Sequence, residues 1–522
     1  MRRSLLHPWR DHLPAGTALA VDDLVAEGTL PAAWSARWRA APRAPLWLER
    51  GDDGDGANGS ELASGGHWWT AGAFEGATRR VAGRLRGAGL QRGDRVLWST
   101  GPSVAALVAH VAALRAGLVV VPANVAYTRR ELAHIVTDMR PSAAIVERPD
   151  QQDAVRRASD RAVLVVGPGV GLPDADEGPL DMAEPGDPAL ILYTSGTTGV
   201  PKGAVLSHRN LLAAAEAVRI AWRWNAEDRL VHALPLFHAH GLCVGIYGTL
   251  LAGSSAVLLP GFDPAAVADA AEGLGASLFF GVPTMYHRMV RSGHAADLGR
   301  LRLCVSGSAP MSVELHGAMH RALGSMVLER YGMTETLMNL SNPCDGPRRP
   351  GTVGFPLPGV EARLSADSEL SVRGPNVFDG YWERPAANAE AFTVDAGGDR
   401  WFRTGDQGAD EDGYMVIRGR RTEMVISGGF NVYPTEVEDV LMVHPGVAEV
   451  AVTGSPSDEW GEVVTAWIVA DGSPPSVDDL AAFTEETLAP YKRPRLVHVV
   501  DELPRNALGK VLRNHLGRRA GG

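Results

Sequence analysis

The stretch Tyr193-Thr194-Ser195-Gly196-Thr197-Thr198-Gly199-Val200-Pro201-Lys202-Gly203 is the most informative segment of this chain. It holds five hydroxyl side chains, three glycines and one lysine within eleven residues. Glycines let backbone N–H groups approach an anion closely, and the hydroxyls and Lys202 add further donors. The segment therefore predicts a phosphate-binding loop.

The residues in and around this loop show which kinds of phosphate-binding loop it can be. An apolar run, Ala189-Leu190-Ile191-Leu192, precedes it and predicts a buried strand. The loop is not a Walker A motif, because that motif requires Gly-Lys followed by Ser or Thr, and Pro201-Lys202-Gly203 stands there instead. A plain surface loop rich in Gly and Thr is the alternative, and the density of donors argues against it.

Composition and charge exclude several classes of protein. The chain has 522 residues, is 45% hydrophobic and 21% charged, and carries a net charge of −11, which argues against a nucleic-acid-binding protein. It contains three cysteines, Cys243, Cys304 and Cys344. They are far apart and form no metal or disulfide pattern, which fits a reducing cytoplasm. The N-terminus lacks the apolar core of an export signal.

One apolar run could be mistaken for a membrane span. Residues 104–121 are apolar, but His110 and Arg115 interrupt the run and Gly117 divides it. A helix followed by a buried strand is therefore expected here.

The first half of the chain alternates between strand-like and helix-like segments. Strands are predicted at 95–98, 118–121, 143–146 and 278–281, and helices at 103–114, 130–137 and 260–278. This alternation predicts parallel βαβ units. Residues 51–66 predict a surface loop, and residues 167–188, rich in Gly, Pro and acidic side chains, predict a link between two subdomains.

The pattern changes after Gly419. Strands are predicted at 449–453 and 463–470, and helices at 435–443 and 477–488. Segments this short predict a small α+β domain, with a boundary near residues 420–423.

Five segments resemble, in order, the motifs of the adenylate-forming superfamily, which comprises acyl-CoA synthetases, adenylation domains of peptide synthetases, and luciferases. The loop quoted above is the first. Tyr331-Gly332-Met333-Thr334-Glu335 is similar to the adenine and magnesium segment, and Trp401-Phe402-Arg403-Thr404-Gly405-Asp406 to the ribose segment. Gly419 to Glu438 resembles the hinge and coenzyme A loop, and Pro504-Arg505-Asn506-Ala507-Leu508-Gly509-Lys510 the catalytic-lysine segment.

The resemblance implies an α/β fold with two domains. Residues 1–419 would form a large N-terminal domain of βαβ subdomains with a distorted β-barrel, which binds ATP and the acyl group. Residues 420–522 would form a small, mobile α+β lid that carries the coenzyme A loop and the catalytic lysine. The implied cofactors are ATP, Mg²⁺ and coenzyme A.

The resemblance also implies roles for individual residues at the nucleotide. The implied ATP-binding residues are Thr194, Ser195, Gly196, Thr197, Thr198, Lys202, Tyr331, Thr334, Asp406 and Arg420. Asp406 and Arg420 would bind the ribose, and Tyr331 would stack on adenine. Glu335 and Thr198 would hold magnesium. Lys510 would place a positive charge on the attacking carboxylate.

The lid motifs imply a second set of residues. Gly428, Gly429 and Phe430 would line the coenzyme A path, where a small residue lets pantetheine pass close to the backbone. Glu423 occupies the hinge position, where the superfamily usually has Asp or Lys. Relative to Asp, this departure keeps the charge and lengthens the side chain.

The acid substrate is inferred from the residues expected at the pocket. Arg288 and Arg330 would be costly to bury without a partner, and a second substrate carboxylate would be a bidentate partner. The alternative is that either arginine faces solvent or pairs with a protein acid such as Glu329. Four segments together resemble malonyl-CoA synthetases: Gly281 to Arg288, Ser306-Gly307-Ser308-Ala309, Glu329 to Asn339 and Arg349-Pro350-Gly351-Thr352-Val353-Gly354. This resemblance implies that His240, Ser308, Arg288 and Arg330 contact a dicarboxylate and that Met333 borders its α-carbon.

The sequence thus predicts a cytoplasmic, ATP-dependent acid–thiol ligase that converts malonate or a small 2-substituted malonate, such as methylmalonate, to its CoA thioester. His240, Glu335 and Lys510 are the predicted catalytic residues. A fatty- or aryl-acid ligase of the same fold is the first alternative. An adenylation module that loads a carrier protein in trans is the alternative of a different class. The expected partners of the ligase are a small dicarboxylic acid, ATP and coenzyme A, with a link to carrier-protein or polyketide pathways. No nucleic-acid or membrane partner is expected.

Overall fold

The structure is a computed structural model that describes residues 9–50, 66–194, 201–457, 459–506 and 510–516. Among the predicted site residues, Ser195, Gly196, Thr197 and Thr198 lie outside these ranges, as does most of the predicted loop at 51–66.

The helices and strands are distributed along the whole of the described chain. The α-helices are α1 Leu30–Ala40, α2 Ala71–Gly87, α3 Val104–Arg115, α4 Arg129–Met139, α5 Pro149–Ala158, α6 His208–Ala221, α7 Tyr247–Ala252, α8 Pro264–Gly273, α9 Pro283–Arg291, α10 Val313–Leu323, α11 Pro385–Ala391, α12 Pro434–Leu441 and α13 Val477–Phe483. The strands are β1 Pro45–Arg50, β2 Gly66–Thr70, β3 Arg95–Ser99, β4 Val119–Pro122, β5 Ala143–Val146, β6 Leu164–Val166, β7 Pro188–Thr194, β8 Lys202–Ser207, β9 Arg229–His232, β10 Ser255–Leu258, β11 Leu278–Gly281, β12 Leu303–Ser306, β13 Leu328–Met333, β14 Leu337–Ser341, β15 Phe355–Pro356, β16 Glu361–Leu364, β17 Glu369–Arg373, β18 Gly380–Tyr381, β19 Phe392–Val394, β20 Arg400–Glu411, β21 Tyr414–Arg420, β22 Val425–Ser427, β23 Phe430–Val432, β24 Val447–Ser457, β25 Gly461–Ala470 and β26 Leu496–Val499.

The N-terminal sheet has seven strands in the order β18-β8-β7-β4-β3-β5-β6. The pairs β3–β4, β3–β5, β5–β6 and β4–β7 are parallel, which confirms the predicted βαβ units. Residues 167–188 are predicted to link two subdomains, and this prediction is wrong. They run from the edge strand β6 back to β7 of the same sheet, because composition marks a loop but not which strands it joins.

The central sheet has nine strands in the order β15-β14-β13-β12-β11-β9-β10-β1-β2. Strands β9 to β13 are mutually parallel and mostly buried, whereas β13–β14 and β14–β15 are antiparallel. The helix predicted at 260–278 is the shorter α8, which begins after the capping side chain of Asp263. Parallel strands end at the same edge of a sheet, so residues after β11, β12 and β13 are brought together there.

Two smaller sheets follow. Strands β16, β17, β20, β19 and β21 form an open antiparallel sheet, so no closed barrel forms among the described residues, in contrast to the distorted barrel that the resemblance implied. Strands β22 to β26 form a separate five-stranded sheet with α12 and α13, which is the α+β lid. The mixed α/β class is confirmed, and the boundary at residue 420 stays a prediction.

The apolar run at 104–121 is a core helix and strand, α3 and β4, as predicted. His110 lies 2.7 Å from the hydroxyl of Tyr247, and Arg115 pairs with Asp181 at 3.0 Å, so both polar side chains find partners inside the domain. Within the described ranges, no helix has an apolar stretch long enough to traverse a bilayer.

Candidate active site

The predicted phosphate loop joins two paired strands. The apolar residues Ala189 to Leu192 are buried in β7, and β7 pairs antiparallel with β8, so that Thr194 lies opposite Lys202. Thr194 Oγ1 donates to the Lys202 carbonyl at 3.5 Å. The hairpin therefore holds the two ends of the loop side by side, and the roles of residues 195–198 stay predictions.

A tyrosine that the sequence interpretation missed joins the loop to the predicted magnesium ligand. The Tyr381 hydroxyl donates to Glu335 Oε1 at 2.9 Å, and Lys202 Nζ lies 5.4 Å from the centre of the Tyr381 ring. Tyr381 is placed there because β18 pairs with β8. Its distance from Glu335 along the chain gives no spacing signal that could have revealed the contact.

Glu335 is suited to a metal that is also held by phosphates. Burial raises the pKa of its carboxyl, while the Tyr381 hydrogen bond and the Arg420 charge act in the opposite direction. No group of three or more His, Cys, Asp or Glu residues that could hold a metal is found among the described residues. Magnesium is commonly bound by one or two carboxylates together with substrate phosphates, so a single Glu fits the predicted ion.

The predicted ribose residues Asp406 and Arg420 form an ion pair, and the predicted adenine residue Tyr331 is hydrogen-bonded to it. Asp406 and Arg420 are directly opposed in β20 and β21, with Arg420 Nε 3.3 Å from Asp406 Oδ1. The Tyr331 hydroxyl donates to Asp406 Oδ2 at 2.5 Å. Thr334 lies in the turn between β13 and β14, one residue before Glu335. The structure thus brings the second and third motifs of the sequence to one place.

Lys510, in the C-terminal domain, interacts electrostatically with this group. Burial and then the Arg420 charge lower the pKa of Lys510, whereas the Glu423 and Asp406 charges raise it. The lysine therefore lies within the electrostatic range of both predicted ribose residues. Its backbone N–H donates to Asn506 Oδ1 at 3.0 Å, which helps to hold the segment in a turn.

The predicted acyl residues His240, Ser308 and Arg330 form a second group, called here the acyl cluster. Ser308 Oγ lies 3.4 Å from His240 Nδ1, and Ser308 adopts a left-handed backbone with φ of +70°. Such a conformation is uncommon for a residue other than glycine and is often retained at functional sites. Burial and the Arg330 charge lower the pKa of His240 well below its ordinary value, so the imidazole is neutral at neutral pH.

Arg330 is the most unusual side chain of the acyl cluster. It is only 3% exposed, and its Nε and Nη2 atoms are buried without a hydrogen-bond partner in the described part of the chain. Burial lowers the pKa of Arg330 to about 9, so the guanidinium remains charged at neutral pH. A buried charge without a partner costs several kcal/mol by order of magnitude, which indicates that an anion completes this site.

Glu329 is adjacent to Arg330 in sequence and its charge raises the pKa of the arginine against the effect of burial, but no hydrogen bond or ion pair joins the two side chains among the described contacts. Successive strand residues point to opposite faces. Glu329 accepts from the Met311 N–H at 3.0 Å and lies 2.9 Å from His316 Nε2. Its acceptors are therefore used on the other side of β13.

Gly307 makes room for the guanidinium. A Cβ atom at position 307 would lie 2.4 Å from Cζ of Arg330, closer than nonbonded atoms approach. The arginine therefore packs against bare backbone, and the Ser306-Gly307-Ser308 segment shapes the cluster through its glycine as well as its serine.

The other two predicted substrate residues, Met333 and Arg288, are placed differently from the members of the acyl cluster. Met333 ends β13 and lies 3.9 Å from the Tyr331 hydroxyl, next to the nucleotide group. Arg288 is exposed on α9, with its guanidinium carbon 4.8 Å from the centre of the Phe262 ring. The role of Arg288 at the second carboxylate rests on the sequence alone.

The predicted coenzyme A segment forms a tight turn between β22 and β23. Gly428 and Gly429 have φ values of +58° and +82°, a region that favours glycine. Phe430 is 57% exposed and its ring stacks on Tyr491 at 4.7 Å between centres. The turn thus presents two glycines and an exposed aromatic ring.

Comparisons with known proteins show the family of the chain. A family model described as AMP-binding enzyme matches residues 56–382, and one described as AMP-binding enzyme C-terminal domain matches residues 436–510. The crystal structure of ATP-bound MatB from Rhodopseudomonas palustris is 38% identical with a TM-score of 0.84, covering 94% of this chain and 99% of that chain.

Two further relatives differ in the acid they are named for. The mitochondrial malonate–CoA ligase ACSF3 of Mus musculus is 35% identical over 480 residues, 81% of each chain. A feruloyl-CoA synthase of an Amycolatopsis species is 37% identical over 475 residues, which is 87% of this chain and 95% of the relative. Overall identity therefore does not choose between a dicarboxylic and an aromatic acid.

Proposed function

Because this chain belongs to the AMP-binding enzyme family, we propose that it is an ATP-dependent acyl-CoA synthetase that activates malonate or a small 2-substituted malonate, such as methylmalonate. The observation that carries the choice of acid is Arg330, a buried guanidinium with two nitrogen atoms unpartnered within the described chain. A fatty or aromatic acid has no second carboxylate to neutralise it, whereas a malonate does.

The reaction has two half-reactions. In adenylation, a carboxylate oxygen of the acid attacks the α-phosphorus of ATP, a new P–O bond forms, and the bond to pyrophosphate breaks. In thioester formation, the sulfur of coenzyme A attacks the acyl carbon, AMP leaves, and the thiol proton is released. Adenylation is required because a free carboxylate has no adequate leaving group.

The residues of the large domain act mainly in adenylation. The ends of the phosphate loop, Thr194 and Lys202, together with residues 195–198, would bind the phosphates. Asp406 and Arg420 would bind the ribose, and Tyr331 and Thr334 would border the adenine. Magnesium, held by Glu335 and Thr198, would neutralise charge on the phosphates.

The acyl cluster and the lid complete the site. Arg330 and Ser308 would hold the second carboxylate, while neutral His240 would border the reacting one, with Met333 near the α-carbon. Lys510 would supply positive charge between this carboxylate and the α-phosphate. After the lid turns at Glu423, the turn at 428–430 would admit the thiol of coenzyme A.

The remaining parts of the proposal concern partners and place. The substrates would be a small dicarboxylic acid, ATP and coenzyme A in the cytoplasm, with no nucleic acid or membrane involved. A CoA ester of this kind is a building block for carrier-protein or polyketide chemistry, which would consume the product.

A panel of acids tests this proposal. AMP formation is measured with and without coenzyme A for malonate, methylmalonate, butyrate, a long-chain fatty acid and ferulate. We expect malonate or methylmalonate to give the highest kcat/KM, with CoA ester formed in step with AMP. Preference for butyrate, the long-chain acid or ferulate would contradict the dicarboxylate assignment, and AMP without CoA ester would favour carrier-protein loading.

A further inference from the structure

Arg513 joins two parts of the lid that are distant in sequence. Its Nη1 atom lies 2.8 Å from Glu423 Oε2, and its Nη2 atom lies 2.7 and 2.8 Å from the two carboxylate oxygens of Glu438. The arginine side chain is 19% exposed. Arg513, Glu423 and Glu438 are called here the lid anchor.

The two carboxylates of the lid anchor belong to different structural units. Glu438 lies on α12 and also accepts the Val452 N–H of β24 at 2.7 Å, so it is fixed to the body of the lid. Glu423 ends the short helical turn Arg421–Glu423, directly after β21 of the large domain. One guanidinium therefore bonds both to the lid body and to the chain segment that enters the lid.

Arg513 is also coupled to the predicted catalytic lysine. Lys510 lies three residues before it, in a turn closed by the Leu512 N–H donating to the Pro504 carbonyl at 2.7 Å and by the bridge between Arg505 and Val511. The turn fixes Lys510 on one side, and the lid anchor fixes the segment on the other. The placement of Lys510 near the charges of Asp406 and Glu423 thus depends on where Arg513 is held.

We propose that Arg513 is a positioning residue that favours adenylation by holding Lys510 through its ion pair with Glu423. The inference rests on the proposed function and on Glu423 as the hinge. Rotation about the ψ angle of Glu423 moves every later residue relative to the Glu423 side chain, so a turn of the lid about that bond breaks the Arg513–Glu423 pair. Glu438 and Arg513 move together, so their pair persists in both orientations.

The two carboxylates provide a matched test, because Glu423→Gln and Glu438→Gln each remove one charge from Arg513 and keep the side-chain length. The adenylation step is followed by ATP–pyrophosphate exchange, the thioester step by CoA ester formation from prepared malonyl-AMP, and folding by thermal melting. For Glu423→Gln we expect exchange to fall about three- to tenfold, as for a partly exposed charged pair, with an unchanged or faster thioester step and an unchanged melting temperature.

Glu438→Gln should behave differently. Because its pair stabilises the lid in both orientations, both half-reactions should fall together and the melting temperature should drop. Equal slowing of both steps by Glu423→Gln, or no change in their ratio, would overturn the positioning role.

A distance measurement separates this inference from the proposed activity. Spin labels are placed at the exposed positions Glu272→Cys and Glu486→Cys, in a Cys344→Ser background that leaves only the buried Cys243 and Cys304. In the nucleotide-free protein, Glu423→Gln should add a second population of distances, and Glu438→Gln should not. If no tested acid supports exchange, the proposed function fails, but the distance distribution still tests the role of the Arg513–Glu423 pair. An unchanged distance distribution in Glu423→Gln would refute that role.

Discussion

The acyl cluster and the lid anchor both contain a largely buried arginine, and they differ in what neutralises it. In the lid anchor, Arg513 has carboxylate oxygens of two glutamates within 2.8 Å. In the acyl cluster, two nitrogen atoms of Arg330 are buried without a partner among the described residues. An arginine whose donors are paired with protein carboxylates fixes chain segments to one another. A buried arginine with unpaired donors indicates an anionic ligand.

Because Arg330 has unpaired donors and Arg513 has two carboxylate partners, we expect substitution of Arg330 to have the largest effect on activity. Arg330→Met keeps most of the side-chain volume and removes the charge that would face the second carboxylate. Loss of one partner of a buried charge pair costs about 2–5 kcal/mol, so kcat/KM for malonate should fall about 30- to several-thousand-fold. Butyrate should lose little, because it has no second carboxylate. Steady-state kinetics with both acids measures the contrast.

Stability gives an independent control on the same variant. Arg330→Met removes a buried charge that lacks a partner, so the melting temperature of the ligand-free protein should be unchanged or higher. Arg513→Met leaves Glu423 and Glu438 without their cation and should lower it. Equal destabilisation by both substitutions would mean that Arg330 has a structural role and that the comparison fails.

The variant Lys510→Ala tests the predicted role of the lid lysine in adenylation. If the lysine acts only in adenylation, pyrophosphate exchange should fall about 100- to 1,000-fold, as when one charge-stabilising donor is removed from an active site. CoA ester formation from prepared malonyl-AMP should be largely spared. Gly429→Leu is the reciprocal variant, because its side chain would obstruct the pantetheine path while exchange persists. Equal loss in both half-reactions for Lys510→Ala would contradict the assignment.

The hydrogen bond that the uncharged Tyr381 hydroxyl donates to Glu335 should matter less than the charges of Arg330 and Lys510. Tyr381→Phe keeps the ring beside Lys202 and removes the hydroxyl that donates to Glu335. A hydrogen bond to a charged group contributes about 1.5–3 kcal/mol, so exchange at limiting Mg²⁺ should fall about 10- to 100-fold. Half-saturation by Mg²⁺, and Mn²⁺ binding in the presence of ATP, are the measurements.

Tyr193→Phe is the matched control for that variant. Tyr193 lies on β7, which is separated from β18 by β8 in the same sheet, and its hydroxyl donates at 2.7 Å to Asp138 rather than to Glu335. It should leave the Mg²⁺ dependence unchanged. A similar Mg²⁺ shift in both variants would mean that Tyr381 acts through the sheet rather than through Glu335.

The smallest effect is expected at Arg288. The sequence predicts that it shares the second carboxylate, whereas in the structure it is exposed beside Phe262. An exposed charged contact contributes about 0.2–1 kcal/mol, so Arg288→Met should lower malonate kcat/KM by no more than about fivefold. A loss equal to that of Arg330→Met would show that Arg288 turns inward when the acid binds.

Local sequence patterns were sufficient to identify the family and the order of its motifs along the chain. The resemblance drawn from five motifs is confirmed by the family that the chain matches and by the MatB structure. The alternation of apolar runs also predicted β3, α3, β4, α4 and β5 to within a few residues at each end. These features are local, since strand and helix periods and glycine turns depend on neighbours in the chain.

Tertiary structure alone decided which polar groups meet. The sequence placed Glu329 beside Arg330, yet strand alternation and His316 separate the two, and no local pattern links Tyr381 to Glu335 or Arg513 to Glu423. Likewise, strands β16, β17, β19, β20 and β21 form an open sheet, although the resemblance implied a distorted barrel. Arg288 is exposed, although the sequence predicted that it lines the substrate pocket. Whether a charge is paired depends on residues brought together by long-range strand pairing, and that depends on the packing of the whole chain.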